Sequence, residues 1–395
     1  MLARRTWPCL TAAIGLVALG PAAVPAQDAA DRARRIHASL IGVDSHIDTL
    51  QRVLNGNEDI SHRLSRGHVD LPRLKEAGMV APFFALWVPT FYKGSEAVRR
   101  TLQLRDAMQM VFDAHPDQIE LATTAADVER IAGAGKIAAV LTLEGGHQIA
   151  DDLAVLRVYH RLGLRSMTLT HFRNNNWADA STDRPVHNGL TDFGRQVVRE
   201  MNRLGMIVDI SHVSDKTFYD TLAVTSKPVI ASHSSCRALS DVPRNMTDDM
   251  IRALARNGGV IGINFGAGFV SAKDAGALRQ RIGQAVATEP DLVGQALDEF
   301  ARADYLKEYG EMKPAAATID DAVAQVVHAV RIAGVDHVGI GSDWDGINMV
   351  PTGLEDVSKM PALTAKLLER GLSEEDVRKI LGGNLLRVLR AVTGR

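Results

Sequence analysis

Six short segments of this chain carry residues able to hold cations or move protons. They are His46-x-Asp48, Glu144-Gly145-Gly146-His147, His171, Ser211-His212, Ser232-His233 and Ser342-Asp343-Trp344-Asp345. Imidazole nitrogens and carboxylate oxygens are the donors of hydrolytic zinc sites. In extended backbone, residues i and i+2 point to the same side, so His46 and Asp48 are expected to converge. The chain has thirteen histidines, of which His46, His171, His212 and His233 close apolar runs in the same phase. A ring of such groups at one end of a sheet would be costly to desolvate without a charge to bind. Three imidazoles with two or three carboxylates exceed the three protein ligands of one catalytic zinc. They suit two metals roughly 3.5–4 Å apart, with Glu144 as the natural bridge because it has two oxygens to share. Neutral imidazoles and carboxylates suit zinc, and manganese and iron take the same donors.

Other polar residues read more plainly. His147 is expected to orient a loop or a ligand by hydrogen bonding, Asp345 to cap a turn or support a ligand, and Trp177 to pack beneath a loop. His37, His62, His68, His115, His160, His187, His328 and His337 close no apolar strand and read as surface or structural residues. Arg244 follows Asp241-Val242-Pro243 in a loop, a position that by itself indicates a solvated arginine.

Strand-like apolar runs must position the six segments. Eight occur, at 40–44, 79–88, 137–143, 166–170, 206–210, 228–231, 260–264 and 337–341. Most are continuously apolar, as expected of parallel strands covered on both faces. Amphipathic segments lie between them, with Ser95, Thr191 and Thr247 as expected N-caps. Gly78, Gly163, Gly205, Gly258 and Gly334 stand where helices hand over to strands. Eight strand-then-helix units in one series predict an α/β fold, a (β/α)8 TIM-type barrel of the metal-dependent hydrolase type, with its chemistry at the C-terminal strand ends. A doubly wound open sheet is the competing architecture, but the Gly-rich turn expected after its first strand is missing. Residues 266–317 read as a helical insertion decorating the barrel mouth. The 367–392 pattern reads as helix closing the barrel.

The 395 residues are 46% hydrophobic and 23% charged with a net charge of -2, which gives no reason to expect nucleic acid or an anionic membrane surface as partner. Arg4 and Arg5, an apolar run over 10–20 and Val24-Pro25-Ala26 form a signal-peptide pattern, with cleavage expected near Ala26. That leaves one barrel domain over 27–395 and an exported protein, periplasmic or secreted. The apolar run is too short to span a bilayer, so no stable membrane anchor is expected. Cys236 would be the only cysteine left after cleavage, which excludes an intrachain disulfide.

Together the segments Asp44-x-His46-x-Asp48, Glu144-Gly145-Gly146-His147, Leu169-Thr170-His171-Phe172-x-x-Asn175, Asp209-x-Ser211-His212, Ser232-His233-Ser234-Ser235, Arg244-Asn245, Gly341-Ser342-Asp343-Trp344-Asp345-Gly346 and Gly353-Leu354-Glu355-Asp356-Val357 resemble the membrane (renal-type) dipeptidase family. The likeness runs in order along nearly all of the expected mature chain. It implies a dizinc barrel that hydrolyses dipeptides, with tolerance of a D-residue at the C-terminal position, and a homodimer. Carried over residue by residue, it implies one Zn2+ on His46, Asp48 and Glu144 and a second on Glu144, His212 and His233. It further implies that His171 binds the substrate carbonyl, Arg244 holds the free carboxylate of the substrate, and Asp343 shuttles protons while a metal-bridging hydroxide attacks the peptide bond.

Three other readings compete. Another dinuclear hydrolase of the same barrel, acting on a cyclic amide, ester or lactone, would usually open with His-x-His and carry a bridging modified lysine. Here the motif is His46-x-Asp48, and Lys136 and Lys227 lie at strand beginnings. A non-catalytic, metal-retaining binding protein would not need the complete ligand set. A Schiff-base lyase would need a lysine inside the barrel, and no strand has one centrally.

Overall fold

The structure is a computed structural model that describes residues 26–394. The expected leader falls outside the described residues except for Ala26, which begins the helix Ala26–His37. Nine strands follow: β1 (Val43–Ile47), β2 (Ala81–Trp87), β3 (Ile119–Leu121), β4 (Ile137–Glu144), β5 (Leu164–Thr168), β6 (Ile207–Asp209), β7 (Ile230–Ser234), β8 (Val260–Ile263) and β9 (Val338–Ile340). All pairings between them are parallel. The circuit β1-β2-β4-β5-β6-β7-β8-β9 closes when β9 pairs with β1, giving an eight-stranded barrel. The short β3 pairs outside the circuit on β4 and has no counterpart among the eight expected runs. Its three residues are too few to give a periodic signal.

Each expected strand is present, but the first lies later than its apolar run. Residues 40–42 lead in, with the Gly42 N–H donating to Gly78 O and Gly42 O accepting from Ala81 N. The ladder proper then continues through polar residues. Ser45 Oγ donates to Ser232 O (2.6 Å) and Ile340 O (2.9 Å), and Asp44 Oδ1 accepts from Ser342 N (2.9 Å). A strand can be polar there because neighbouring strands satisfy its side chains. Asp48 lies beyond the strand as the residue that starts the helix Thr49–Gly56, so strand alternation alone does not explain its meeting with His46.

Two of the three expected caps form. Thr191 and Thr247 accept from Gly194 N and Met250 N as expected. Ser95 is instead the first residue of its helix, with Gly94 at the cap and no side-chain bond. The five junction glycines all have positive φ, from 63° to 98°, the region a Cβ disfavours.

At the N-terminal half of the barrel, Val43, Ala81, Phe83, Ala138, Val140 and Val260 pack with Leu385, Leu389 and Val392. Those last three belong to the closing helix Asn384–Thr393. Higher up the interior is narrow. A Cβ on Gly341 would stand 1.6 Å from Ser232 O, and one on Gly262 would stand 2.2 Å from the same atom. The insertion consists of helices Ala267–Val270, Ala275–Ala287 and Gly294–Tyr309.

Backbone carbonyls cannot swing aside as side chains do, so Gly341→Ala is expected to destabilise the fold by about 3 kcal/mol or more. Gly276→Ala, on the inserted helix with no atom within 4 Å of the new Cβ, should be neutral or stabilising by up to about 1 kcal/mol. Denaturant unfolding of the two variants beside the parent checks this, and equal effects would contradict the packing described.

Candidate metal centre and substrate pocket

The C-terminal strand ends bring the separated donors together. His46 comes from β1, Asp48 from the turn after it and Glu144 from the end of β4. His171 and His212 follow β5 and β6, His233 lies in β7, and Asp343 follows β9. All seven side chains are buried. Two donor groups meet at Glu144. On one side, His46 Nε2 lies 3.3 Å from both Asp48 Oδ2 and Glu144 Oε2. On the other, Glu144 Oε1 lies 3.1 Å from His212 Nε2 and 3.4 Å from His233 Nε2. Ligand atoms about 2.0–2.1 Å from one tetrahedral cation stand about 3.3 Å apart, so these separations fit a cation in each group.

The donors also lack other partners. His46 Nε2 and Asp48 Oδ1 are buried without a hydrogen bond, and His212 Nε2 and His233 Nε2 face each other at 2.9 Å. Buried polar atoms are ordinarily paired. A third compatible triple, His46, His233 and Asp343, overlaps the first two.

Neighbouring residues fix these side chains. Ser232 Oγ donates to Asp209 Oδ2 (2.5 Å), so it accepts from His233 Nδ1 (2.7 Å). That chain puts the His233 proton on Nδ1 and turns the Nε2 lone pair toward Glu144. Asp209 also accepts from Thr168 Oγ1 and Ser211 N. Asn264 Nδ2 donates to Asp343 Oδ2 (2.9 Å). Asp345 anchors the turn behind the site: it accepts from Thr49 Oγ1, His68 N and Arg52 Nη1, and its own N–H donates to His68 Nδ1. Burial would push its carboxyl up, but Arg52 and the bonds from His68 hold it well below the usual carboxylate range. His212 and Asp343 both have positive φ, 68° and 64°, a conformation tolerated at a cost and enriched at functional sites.

Electrostatics separate the donors. Burial pushes Glu144 up. Asp48 rises to about 6 through burial and the neighbouring Glu144 charge, and Asp343 to about 6 through burial and Asp48. His46 is opposed by burial but raised well above its ordinary value by Glu144 and Asp48. Burial, and for His171 and His212 next the Arg244 charge, hold His171, His212 and His233 well below theirs. Those three imidazoles are therefore neutral.

Arg244 is not the solvated arginine that its loop position indicates. It is buried, donates one Nη2 bond to His233 O (3.1 Å), and leaves Nε and Nη1 without partners. Its guanidinium lies 5.3 Å from the Phe269 ring. Burial draws its pKa down to about 10 against the pull of Asp343 and Glu144. Glu144, His171, Arg244 and Asp343 line one pocket, walled by Trp87, Phe172 and Phe269. Trp87 ends β2 with its ring 5.7 Å from His171. His147 stands behind this wall, its pKa pushed to about 4 by burial against bonds to the Val88 and Pro89 carbonyls. Trp177 packs on the turn at Gly146, where a Cβ would meet its ring at 2.3 Å.

The insertion is more than decoration, because Leu278, Arg281, Tyr305 and Tyr309 line the same pocket. Sequence reasoning gave no role to these residues, nor to Trp87, Asp209 or Asn264. Asp209 was visible as part of a motif and Asn264 as the end of a strand, but nothing in the sequence marked the face of the inserted helices turned to the site. Neither Lys136 nor Lys227 reaches it: Lys136 pairs with Glu120, and Lys227 donates to Ala391 O.

Known proteins resemble this chain along most of its length. The family described as membrane dipeptidase (peptidase family M19) matches residues 30–394. Dipeptidase tcpJ of Claviceps purpurea is 40% identical over 336 residues, 82% of this chain and 69% of that protein. The crystal structure of the probable dipeptidase PvdM from Pseudomonas aeruginosa is 27% identical, covers 93% of this chain and 99% of that one, and superposes with a TM-score of 0.78. A metallopeptidase from Rhodobacter sphaeroides, liganded with a phosphinate mimic of the dipeptide L-Ala-D-Ala, is 26% identical with a TM-score of 0.73, covering 89% and 99% of the two chains.

Metal binding should displace protons, because His46 is held protonated at neutral pH and must lose its proton to become a ligand. Zinc added to metal-free protein at pH 7 is expected to release about one proton or more per chain. At pH 6 the release should exceed that of His46 alone, since Asp48 and Asp343, with pKa values of about 6, are half protonated there. Calorimetric titration in buffers of different protonation enthalpy measures this. Zinc uptake at pH 6 without proton release would contradict the charge arrangement.

Proposed function

Because the chain belongs to the membrane dipeptidase family, M19, and is a metallo-dipeptidase, we propose that it is an exported dizinc enzyme that cleaves dipeptides, including those with a C-terminal D-residue. Arg244 carries this reading. A buried guanidinium with two free donors, in the pocket that holds the Glu144-centred donors, requires an anion. The free carboxylate of a dipeptide, one residue from the scissile bond, supplies it in a planar form that suits the guanidinium fork.

His46, Asp48 and Glu144 would hold one zinc, and Glu144, His212 and His233 the other. Zinc bound there supplies Lewis acidity and lowers the pKa of water toward neutrality. His171, kept neutral by burial and by Arg244, can donate to the carbonyl oxygen as negative charge develops on it. Asp343, fixed by Asn264, can take a proton from the attacking water and return it to the leaving amine. The walls of Trp87, Phe172 and Phe269 limit the pocket to a small substrate.

The L-Ala-D-Ala mimic bound by the Rhodobacter relative supports tolerance of a D-residue. Export rests on the N-terminal pattern of residues 1–26. Among the described residues no helix is long and apolar enough to cross a membrane. A homodimer rests on the family likeness alone.

Metal analysis and a panel of L,L and L,D dipeptides, assayed with and without chelator, test the proposal. The expected result is about two zinc ions per chain and activity lost on chelation. Zinc-loaded protein that opened lactones but cut no dipeptide would refute it. Glu144→Ala should abolish both metal retention and activity. Arg244→Ala should raise KM about tenfold or more, the worth of a lost charge-assisted pair, and unchanged dipeptide kinetics in that variant would remove the carboxylate clamp from the scheme.

A further inference from the structure

The pocket contains a second arginine that the proposed reaction leaves unused. Arg281, on the inserted helix Ala275–Ala287, donates through Nη2 to Gly346 O (2.9 Å) and to the Tyr309 hydroxyl. Its Nε lies 3.2 Å from Glu308 Oε1, and the guanidinium stands 5.0 Å from the Tyr309 ring centroid. Among the described residues Nη1 finds no hydrogen-bond partner, so one end of the fork is free.

The anchor point lies against the reactive groups. A Cβ on Gly346 would stand 2.1 Å from Asp48 Oδ2 and 2.6 Å from Asp343 Oδ1. The Arg281 charge is thereby anchored on the turn that carries Asp343. Glu308 offsets that charge only in part. Its carboxylate is shared with Asn348 Nδ2 (2.9 Å) and Lys313 Nζ (3.5 Å), and its side chain is 29% exposed, where solvent screens it.

A dipeptide with neutral side chains has one carboxylate for Arg244 and none for a second cation. Asp343 is the group assigned to protonate the leaving amine, so a cation anchored on its turn lies on the side of the leaving, C-terminal residue. We propose that Arg281 makes the pocket selective for an acidic side chain on that residue, so that dipeptides ending in aspartate or glutamate are preferred. The inference rests on the dipeptidase reading and adds its substrate class. The insertion would then set specificity while the barrel supplies the chemistry.

The test compares kcat/KM for Ala-Glu and Ala-Ala, using zinc-loaded protein and the variants Arg281→Met and Glu308→Gln. The parent should favour Ala-Glu by about tenfold or more. In Arg281→Met that ratio should collapse toward one, mainly through KM for Ala-Glu. In Glu308→Gln, where the competing carboxylate is gone, the ratio should rise. Parallel losses on both substrates in Arg281→Met, with the ratio kept, would mean that Arg281 is only a strut between the insertion and the Gly346 turn, and would overturn the inference. A parent enzyme that cut Ala-Ala but did not prefer Ala-Glu would overturn it while leaving the dipeptidase reading intact. A parent that cut neither would overturn both.

Discussion

The site depends on one crowded carboxylate. Glu144 presents one oxygen to His46 and the other to His212 and His233, all out of water. Packed this way, lone pairs and negative charges repel unless protons or cations stand between them. Burial raises Glu144, Asp48 and Asp343 together, the response of acids whose desolvation outweighs the nearby cations. A buried cluster of this kind destabilises a fold unless binding compensates. Its presence at the ends of several different strands marks this rim as the place where the barrel takes up charge.

Much of the surrounding structure keeps that cluster from relaxing. Asp209 and Ser232 set the His233 tautomer, Asn264 fixes Asp343, and Asp345 ties the β9 turn to Thr49, Arg52 and His68. The narrow barrel interior at Gly262 and Gly341 lets Ser45 reach two carbonyls of other strands, which locks the strand that carries His46. The left-handed backbone at His212 and Asp343 is held by Ser181 N donating to His212 O and Asp343 N donating to His46 O. These restraints hold the donors at metal-ligand spacing.

The sequence made the barrel and its donors legible for one reason: strand ends repeat. Each apolar run that finishes in His, Asp or Glu carries both the element and the residue it positions, so periodicity and chemistry agree. Where they separate, reading from sequence is weaker. The first strand runs through Asp44, Ser45 and His46 rather than the apolar residues before them, because partners in other strands satisfy those polar groups. β3 is too short to register. Arg244 looked solvated because loop position says nothing of what covers a loop. The face of Arg281, Tyr305 and Tyr309 stayed hidden because it depends on how two inserted helices dock, a tertiary fact with no local period.

That difference follows the division of labour in such barrels. Donors must sit within tenths of an ångström of common points, which favours strand ends, where hydrogen-bonded ladders hold them. Recognition of a side chain tolerates looser geometry and can be supplied from helices added over the mouth. In this chain the insertion is tied down by polar contacts: Arg99 with Asp298, and Arg281 with Gly346. Such contacts can change without disturbing the strands beneath. A substitution at Arg281 therefore alters what the pocket accepts, whereas one at Glu144 removes the centre on which the donors converge.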